Sequence, residues 1–222
     1  MRKRTTGARW MRSFRTFFEP GQLEAYQAGV MGYRYKGRQC LKSPVDVAIY
    51  LHLLEVLRPA SIVEIGTREG GSALLLADMA AMVGLAPQVV SVDIAPPAQP
   101  PADPRIIFLA GDVHDLAAVF GAGGLRALPG PRLVVEDSAH TRAGCRAALD
   151  FFADALDPGD YLVVEDGVID DLGMSDRFDG GPNRAIADFF AERPDVFEVD
   201  EGLCDMFGRN ATYSPNGWLR RR

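Results

Sequence analysis

Four side chains near the middle of the chain have the types and spacing for metal and proton chemistry: Asp137, His140, Glu165 and Asp166. Asp137 closes the run Leu133-Val134-Val135-Glu136-Asp137, and the same five residue types recur as Leu162-Val163-Val164-Glu165-Asp166. Apolar, valine-rich runs of this length read as strands buried on both faces. Acids at the carboxyl ends of such strands face the crevice where open α/β sheets bind ligands. Three carboxylates on adjacent strand ends cannot all stay ionised in a small crevice without a cation or a proton to relieve them. Asp137, Glu165 and Asp166 offer hard oxygens, which suit Mg2+ better than zinc or copper. A divalent ion there would lower the pKa of a bound hydroxyl, and His140 could accept its proton. The competing reading makes these acids helix caps or partners of Arg142 and Arg184, and His140 a cap-region residue of the next helix. Glu136 stays open as an alternative to Asp137, because strand alternation turns only one of the two into the crevice.

A second constellation lies upstream. Ile62-Val63-Glu64-Ile65-Gly66 reads as a strand, followed by Thr67-Arg68-Glu69-Gly70-Gly71-Ser72 and a helix from Ala73 to Met82. Glycines at a strand-to-helix turn let a ligand approach the backbone and bring helix N–H groups near it. They also make an ordinary turn, and the spacing is not the G-x-G-x-x-G of dinucleotide binding. Val89 to Asp93 is the next buried strand, ending in an acid where a ribose diol would be held. Arg105 to Ala110 is a third strand, and Asp112 after it could contact a bound nucleoside or cap the helix near Val113.

The elements that must position these groups follow in order. Ser43-Pro44-Val45-Asp46 starts a helix, with Ser43 as cap and Pro44 in the first turn, and the helix stops near Arg58-Pro59. His52 and Glu55 fall on its solvent side. A helix over about 141–156 joins the two acidic strands. The segment 167–181 carries Asp170, Asp171, Asp176 and Asp179 without periodicity, which predicts a lid or substrate wall beside the crevice. Pro182 opens a helix through Phe190. Val196 to Val199 and Arg209 to Tyr213 are expected to pair as a terminal hairpin. The organisation is βαβαβ, βαβ, helix and hairpin, without a linker that would split it. The expected domains are an N-terminal arm and cap segment, 1–42, and a single catalytic domain, 43–222.

With 222 residues and 47% hydrophobic content, the chain can bury a substantial core. A net charge of -6 argues against general nucleic-acid binding. No apolar run approaches a membrane span, and the three scattered cysteines fit a reducing cytosol. The expectations are a cytoplasmic protein with no nucleic-acid or membrane partner. Met1 to Phe18 holds six basic residues and no acid, with Trp10, Phe14 and Phe17 at helical spacing. It reads as a short amphipathic helix, or as an arm docking on its own or a neighbouring subunit.

Taken together, Gly37, Ser43-Pro44-Val45-Asp46, Tyr50, Val63-Glu64-Ile65-Gly66-Thr67, Gly70-Gly71-Ser72, Asp137-Ser138-Ala139-His140-Thr141, Val164-Glu165-Asp166 and Ser214-Pro215-Asn216-Gly217-Trp218 stand in a familiar order. The chain resembles the cephalosporin hydroxylase and rhamnosyl O-methyltransferase family of class I methyltransferases. It is also similar to Mg2+-dependent macrolide-sugar O-methyltransferases. The resemblance implies an α/β, Rossmann-like fold: a seven-stranded, mostly parallel sheet with a C-terminal antiparallel hairpin and helices on both faces. It implies S-adenosylmethionine as donor, with Glu64, Gly66, Thr67, Ser72, Asp93 and Asp112 at the cofactor. It implies Mg2+ on Asp137, Glu165 and Asp166, and His140 as general base. The implied reaction is methylation of a deoxysugar or rhamnosyl hydroxyl of a small-molecule acceptor in natural-product or antibiotic tailoring, and the resemblance implies a homo-oligomer. Catechol-type methylation, or a cofactor-binding accessory subunit of a cephalosporin-methoxylation-type pair, are the alternatives.

Overall fold

The structure is a computed structural model and describes residues 12–121 and 124–222. In chain order these form α1 (Pro20–Gly32), β1 (Arg34–Tyr35), β2 (Arg38–Gln39), α2 (Pro44–Leu57), β3 (Ser61–Ile65), α3 (Gly71–Met82), β4 (Gln88–Asp93), β5 (Ile106–Ala110), α4 (Leu116–Phe120), β6 (Arg132–Glu136), α5 (Arg142–Ala155), β7 (Tyr161–Val164), α6 (Gly181–Glu192), β8 (Phe197–Val199), α7 (Glu201–Cys204) and β9 (Trp218–Arg221).

The main sheet has seven strands in the order β5-β4-β3-β6-β7-β9-β8. β3 to β7 pair in parallel, and β9 runs antiparallel between β7 and β8. This is the expected fold. Strands β3, β6 and β7 are buried along their whole length, as their continuous apolar runs require. One face packs Ile49, Tyr50, Leu53 and Leu54 of α2 and the small and leucine side chains of α3. The other packs Leu149 and Phe152 of α5 with Ile186 and Phe189 of α6. A residue such as Phe152, wholly buried, would cost about 3–5 kcal/mol if truncated to alanine. Chain order reverses between β3 and β6, and that switch point opens the crevice at their carboxyl ends.

α2 begins as its sequence demands: Ser43 Oγ accepts from the Asp46 N–H at 3.4 Å, and Pro44 occupies the first turn. The C-terminal hairpin uses a different partner from the one expected. Arg209 to Tyr213 is not a strand; Trp218–Arg221 fills that place, pairing with β7 and β8. Asn210 has a left-handed backbone, φ 49°, which an extended strand cannot accommodate. The Tyr213 N–H goes to the buried Asp46 carboxylate at 3.1 Å instead of to a ladder. Trp218 and Leu219 are fully buried, and Trp218 packs on Tyr50 with ring centroids 4.7 Å apart.

α1 and the β1–β2 hairpin carry no clear signal in the sequence. α1 buries only Leu23 and Val30, a stripe too narrow to show as amphipathic periodicity. The expected N-terminal helix lies largely outside the described residues, Trp10 included; residues 12–18 are not helical. They dock on their own chain: Arg12 bonds Glu201 at 3.1 Å and Asn210 at 3.2 Å, and also reaches Asp205 and Asn216. Cys40, Cys145 and Cys204 are buried free thiols. No helix of the described residues is long and apolar enough to cross a membrane.

Candidate active site

A cavity of about 1150 Å3 opens at the carboxyl ends of β3, β4 and β6. Gly66, Thr67, Ser72, Asp93, Asp112, Asp137, His140 and Asp166 all line it, so most of the expected site residues come together. Glu64 and Glu165 do not reach the cavity wall; both are buried behind it.

The glycine turn is shaped first by its own chain. Gly66 has φ 104°, and a Cβ there would lie 2.0 Å from the Asp137 carbonyl oxygen. Gly71 would place one 2.2 Å from the Gln39 carbonyl. Close backbone approach, rather than ligand approach alone, demands both glycines. Asp93 folds the same turn: its carboxylate accepts from the N–H groups of Thr67, Arg68 and Ala95, each at 2.9 Å. A carboxylate has about four acceptor directions, so one is left for a ligand hydroxyl. Asp112 does what its competing reading asked, accepting the His114 N–H at 2.9 Å as a cap, while also lining the cavity. Glu64 Oε2 accepts from Ser91 Oγ at 2.5 Å, and its Oε1 is buried without a partner.

The two acids of the first strand end part company. Glu136 is fully buried and turned away from the cavity, accepting from Cys145 Sγ at 3.2 Å and from Ser138 Oγ. Asp137 faces the cavity. His140 stands between acids, its Nε2 3.3 Å from Asp166 Oδ2 and its Nδ1 4.0 Å from Asp137 Oδ1. Both His140 (φ 55°) and Asp166 (φ 58°) have left-handed backbones, a strained state for non-glycine residues that clusters at functional sites. Arg142 and Arg184 do not pair with these acids; both hold Asp188 on α6.

One cation that sequence reasoning missed dominates the electrostatics. Lys42 Nζ donates to Asp137 Oδ2 at 2.6 Å and Glu165 Oε2 at 2.5 Å, and the Tyr50 hydroxyl donates to Glu165 Oε1 at 2.5 Å. Burial lowers the Lys42 pKa, but Asp137, Glu165 and Glu64 more than reverse that and hold it well above the usual lysine range. Burial pushes Glu165 up to about 7, with Lys42 opposing. Asp137 and Asp166 are also raised by burial. Burial pulls His140 down, yet the Asp166 and Asp137 charges leave it raised overall. The crowding of three carboxylates did call for a cation. The lysine that supplies one lies 95 residues from Asp137 in the chain, with no local signal joining them.

The cavity-facing carboxylates of Asp137 and Asp166 fit a hard divalent ion. Asp137, His140 and Asp166 each offer an atom within 4.8 Å of the others, and His140 Nδ1 is buried without a hydrogen-bond partner. Glu165, expected among the ligands, is not part of that trio; its two oxygens accept from Lys42 and Tyr50.

The model of the rhamnosyl O-methyltransferase/CmcI family matches residues 28–222. The chain belongs to this family. As a member it is a methyltransferase. A rhamnosyl O-methyltransferase of Mycobacterium leprae is 34% identical over 191 residues, covering 85% of this chain and 82% of the relative. That of Mycobacterium tuberculosis is 32% identical, covering 84% and 77%. A solved structure of CmcI with Mg and SAM superposes with a TM-score of 0.66 at 28% identity, covering 86% of this chain and 77% of CmcI. The family match begins inside α1, so it takes in β1, β2 and Lys42 as well as the main sheet.

Proposed function

We propose that this chain moves a methyl group from S-adenosylmethionine to a hydroxyl of a sugar, of the deoxysugar or rhamnosyl type, on a natural product in antibiotic-type biosynthesis, with the help of Mg2+. The observation that carries this reading is the Asp137–His140–Asp166 cluster on the wall of a 1150 Å3 cavity at the sheet's switch point. Membership in the methyltransferase family supplies the reaction class.

Asp137 and Asp166 would hold the ion, with Glu165 behind them on Lys42 and Tyr50, and the ion's contribution would be to acidify a bound acceptor hydroxyl. His140 is the group that takes the hydroxyl proton, since its ring stands between the two cavity-facing acids. Gly66, Thr67 and Ser72 form the donor side of the cavity, Asp93 has one acceptor direction free for a ribose hydroxyl, and Asp112 borders the same space. Glu64 braces that side from below through Ser91. The transfer is a displacement at carbon, so holding donor and acceptor in line supplies much of the rate. Val168, Ile169, Leu172, Met174 and Phe178 from the 167–181 segment line the cavity and give it an apolar wall, suited to the non-sugar part of a glycosylated acceptor. A cofactor-binding accessory subunit would not need the His140 cluster, which favours turnover.

The test is methyl transfer from labelled S-adenosylmethionine to a rhamnosyl glycoside, before and after chelation. Transfer is expected to stop in excess chelator and return with Mg2+, while S-adenosylhomocysteine still binds. Undiminished turnover in chelator would remove the metal from the reading. Transfer to a catechol but to no glycoside would replace the acceptor.

A further inference from the structure

Three neighbouring strand ends turn an acid to the same face of the sheet: Glu64 in β3, Asp137 after β6 and Glu165 after β7. The register puts Glu64 opposite Val135, whose side chain shares the core of α2 and α3. Asp137 and Glu165 follow on that face, and all three act on Lys42. Lys42 is 3% exposed, Glu165 6% and Glu64 0%, so water does not answer these charges. The Lys42 ammonium answers two of them directly, at Asp137 Oδ2 and Glu165 Oε2. Asp137 therefore works in two directions: Oδ2 points back to the lysine, and Oδ1 is its oxygen nearer His140.

We propose that Lys42 is a positioning residue of this site, a built-in cation that holds Asp137 and Glu165 from behind so that a single divalent ion binds in front, on the side of Asp137 Oδ1 and Asp166. The proposal deepens the metal reading above and rests on it. Lys42 is anchored where it stands. Leu41 before it has a left-handed backbone, φ 53°, and Ser43 after it caps α2. Withdrawing the ammonium would leave the buried Glu165 with Tyr50 as its remaining donor and would take from the cavity-facing Asp137 the donor to its Oδ2. A cation so placed stays when the ion arrives, and acts as the outer hydrogen-bond partner of a ligating carboxylate.

The experiment compares Mn2+ binding to the full-length wild-type chain and to Lys42→Met, by electron paramagnetic resonance of free Mn2+, with S-adenosylhomocysteine affinity measured alongside. The wild type is expected to bind one ion. Lys42→Met should bind it about 10–100-fold more weakly, the cost typical of losing an outer partner, with S-adenosylhomocysteine affinity retained. Equal or tighter Mn2+ binding in Lys42→Met would overturn the proposal, because the lysine would then be a competitor of the ion or irrelevant to it. A wild-type chain without Mn2+ affinity would overturn the metal reading as well, so the two failures are distinguishable. Should Lys42→Met not fold, lysine-labelled wild type gives the answer by NMR. The slowly exchanging Lys42 ammonium signal should persist when Mg2+ is added; its loss into fast exchange would mean that the ion ejects the lysine.

Discussion

The run Leu-Val-Val-Glu-Asp ends both β6 and β7, and the two copies lie side by side but one residue out of step. Leu162 sits opposite Val134 and Val164 opposite Glu136. The Glu165 N–H bonds the Glu136 carbonyl, so Glu165 falls level with Asp137. Side chains alternate along a strand, and an offset of one residue moves an acid to the opposite face. Glu136 therefore enters the α5 side, where Cys145 and Ser138 meet it. Glu165 enters the α2 side, where Lys42 and Tyr50 meet it. Asp166 would next point to the α5 side, but its left-handed backbone ends the alternation and brings it beside His140. Identical pentapeptides thus become a structural acid and a cavity acid in one strand, and a lysine anchor and a cavity acid in the other.

The sharpest way to break this comparison is to neutralise the same-named acids separately. Asp137→Asn should lower methyl transfer on the order of 10^3-fold, several kcal/mol of lost charge stabilisation, and weaken Mn2+ binding. Glu136→Gln should leave Mn2+ binding intact and instead lower stability by about 1–3 kcal/mol, through the buried Glu136 carboxylate's contacts to Ser138 and Cys145. If Glu136→Gln loses the ion and Asp137→Asn does not, the two faces have been assigned the wrong way round. His140→Ala comes next, with an expected loss of about 10^2–10^4-fold in the chemical step and unchanged S-adenosylhomocysteine affinity. Single-turnover rates at wild-type level would remove it as the base. Tyr50→Phe strips one donor from Glu165 and should cost about 1–3 kcal/mol in urea denaturation, with no counterpart effect at Glu136.

A further effect on the α2 side is a change of pH slope. Asp46 is buried on the α2 side, as Glu165 is, and burial pushes its pKa up to about 7 despite the Thr212 and Tyr213 donors. The folded chain holds that proton more tightly than the unfolded chain does. Its contribution is full below the ordinary carboxylate pKa and is lost as pH rises to about 7, at up to about 1.4 kcal/mol per pH unit. Asp46→Asn should therefore flatten the fall in urea midpoint between about pH 5 and about pH 7. A slope equal to that of the wild type would show that Asp46 does not titrate there.

Much of the fold was legible because the information is local. β3, β4, β6 and β7 announce themselves as valine-rich runs, and α2 by the Ser43-Pro44 start. The cavity-facing acids were legible as strand-end residues. The swap of Trp218–Arg221 for Arg209 to Tyr213 was not, since five residues of mixed polarity read as well as a strand until Asn210 turns left-handed and Asp46 takes the Tyr213 N–H. α1 hid behind a two-residue buried stripe. Gln39, Cys40 and Leu41 of the expected arm and cap segment line the cavity together with residues from the rest of the chain, and Lys42 reaches the acids behind it.

What the amino-acid order determined by itself was the strand ends, the acids on them and the demand for positive charge among crowded carboxylates. These follow from hydrophobic runs and from Coulomb's law acting on near neighbours. What only the tertiary structure decided was which acid faces which side and what answers it. Register between β6 and β7 is a relation between two segments, set by packing on both faces of the sheet, and it separates Glu136 from Glu165. The answering cation comes from a loop far away in sequence, brought in when α2 docks on the sheet and closes Lys42 over Asp137 and Glu165.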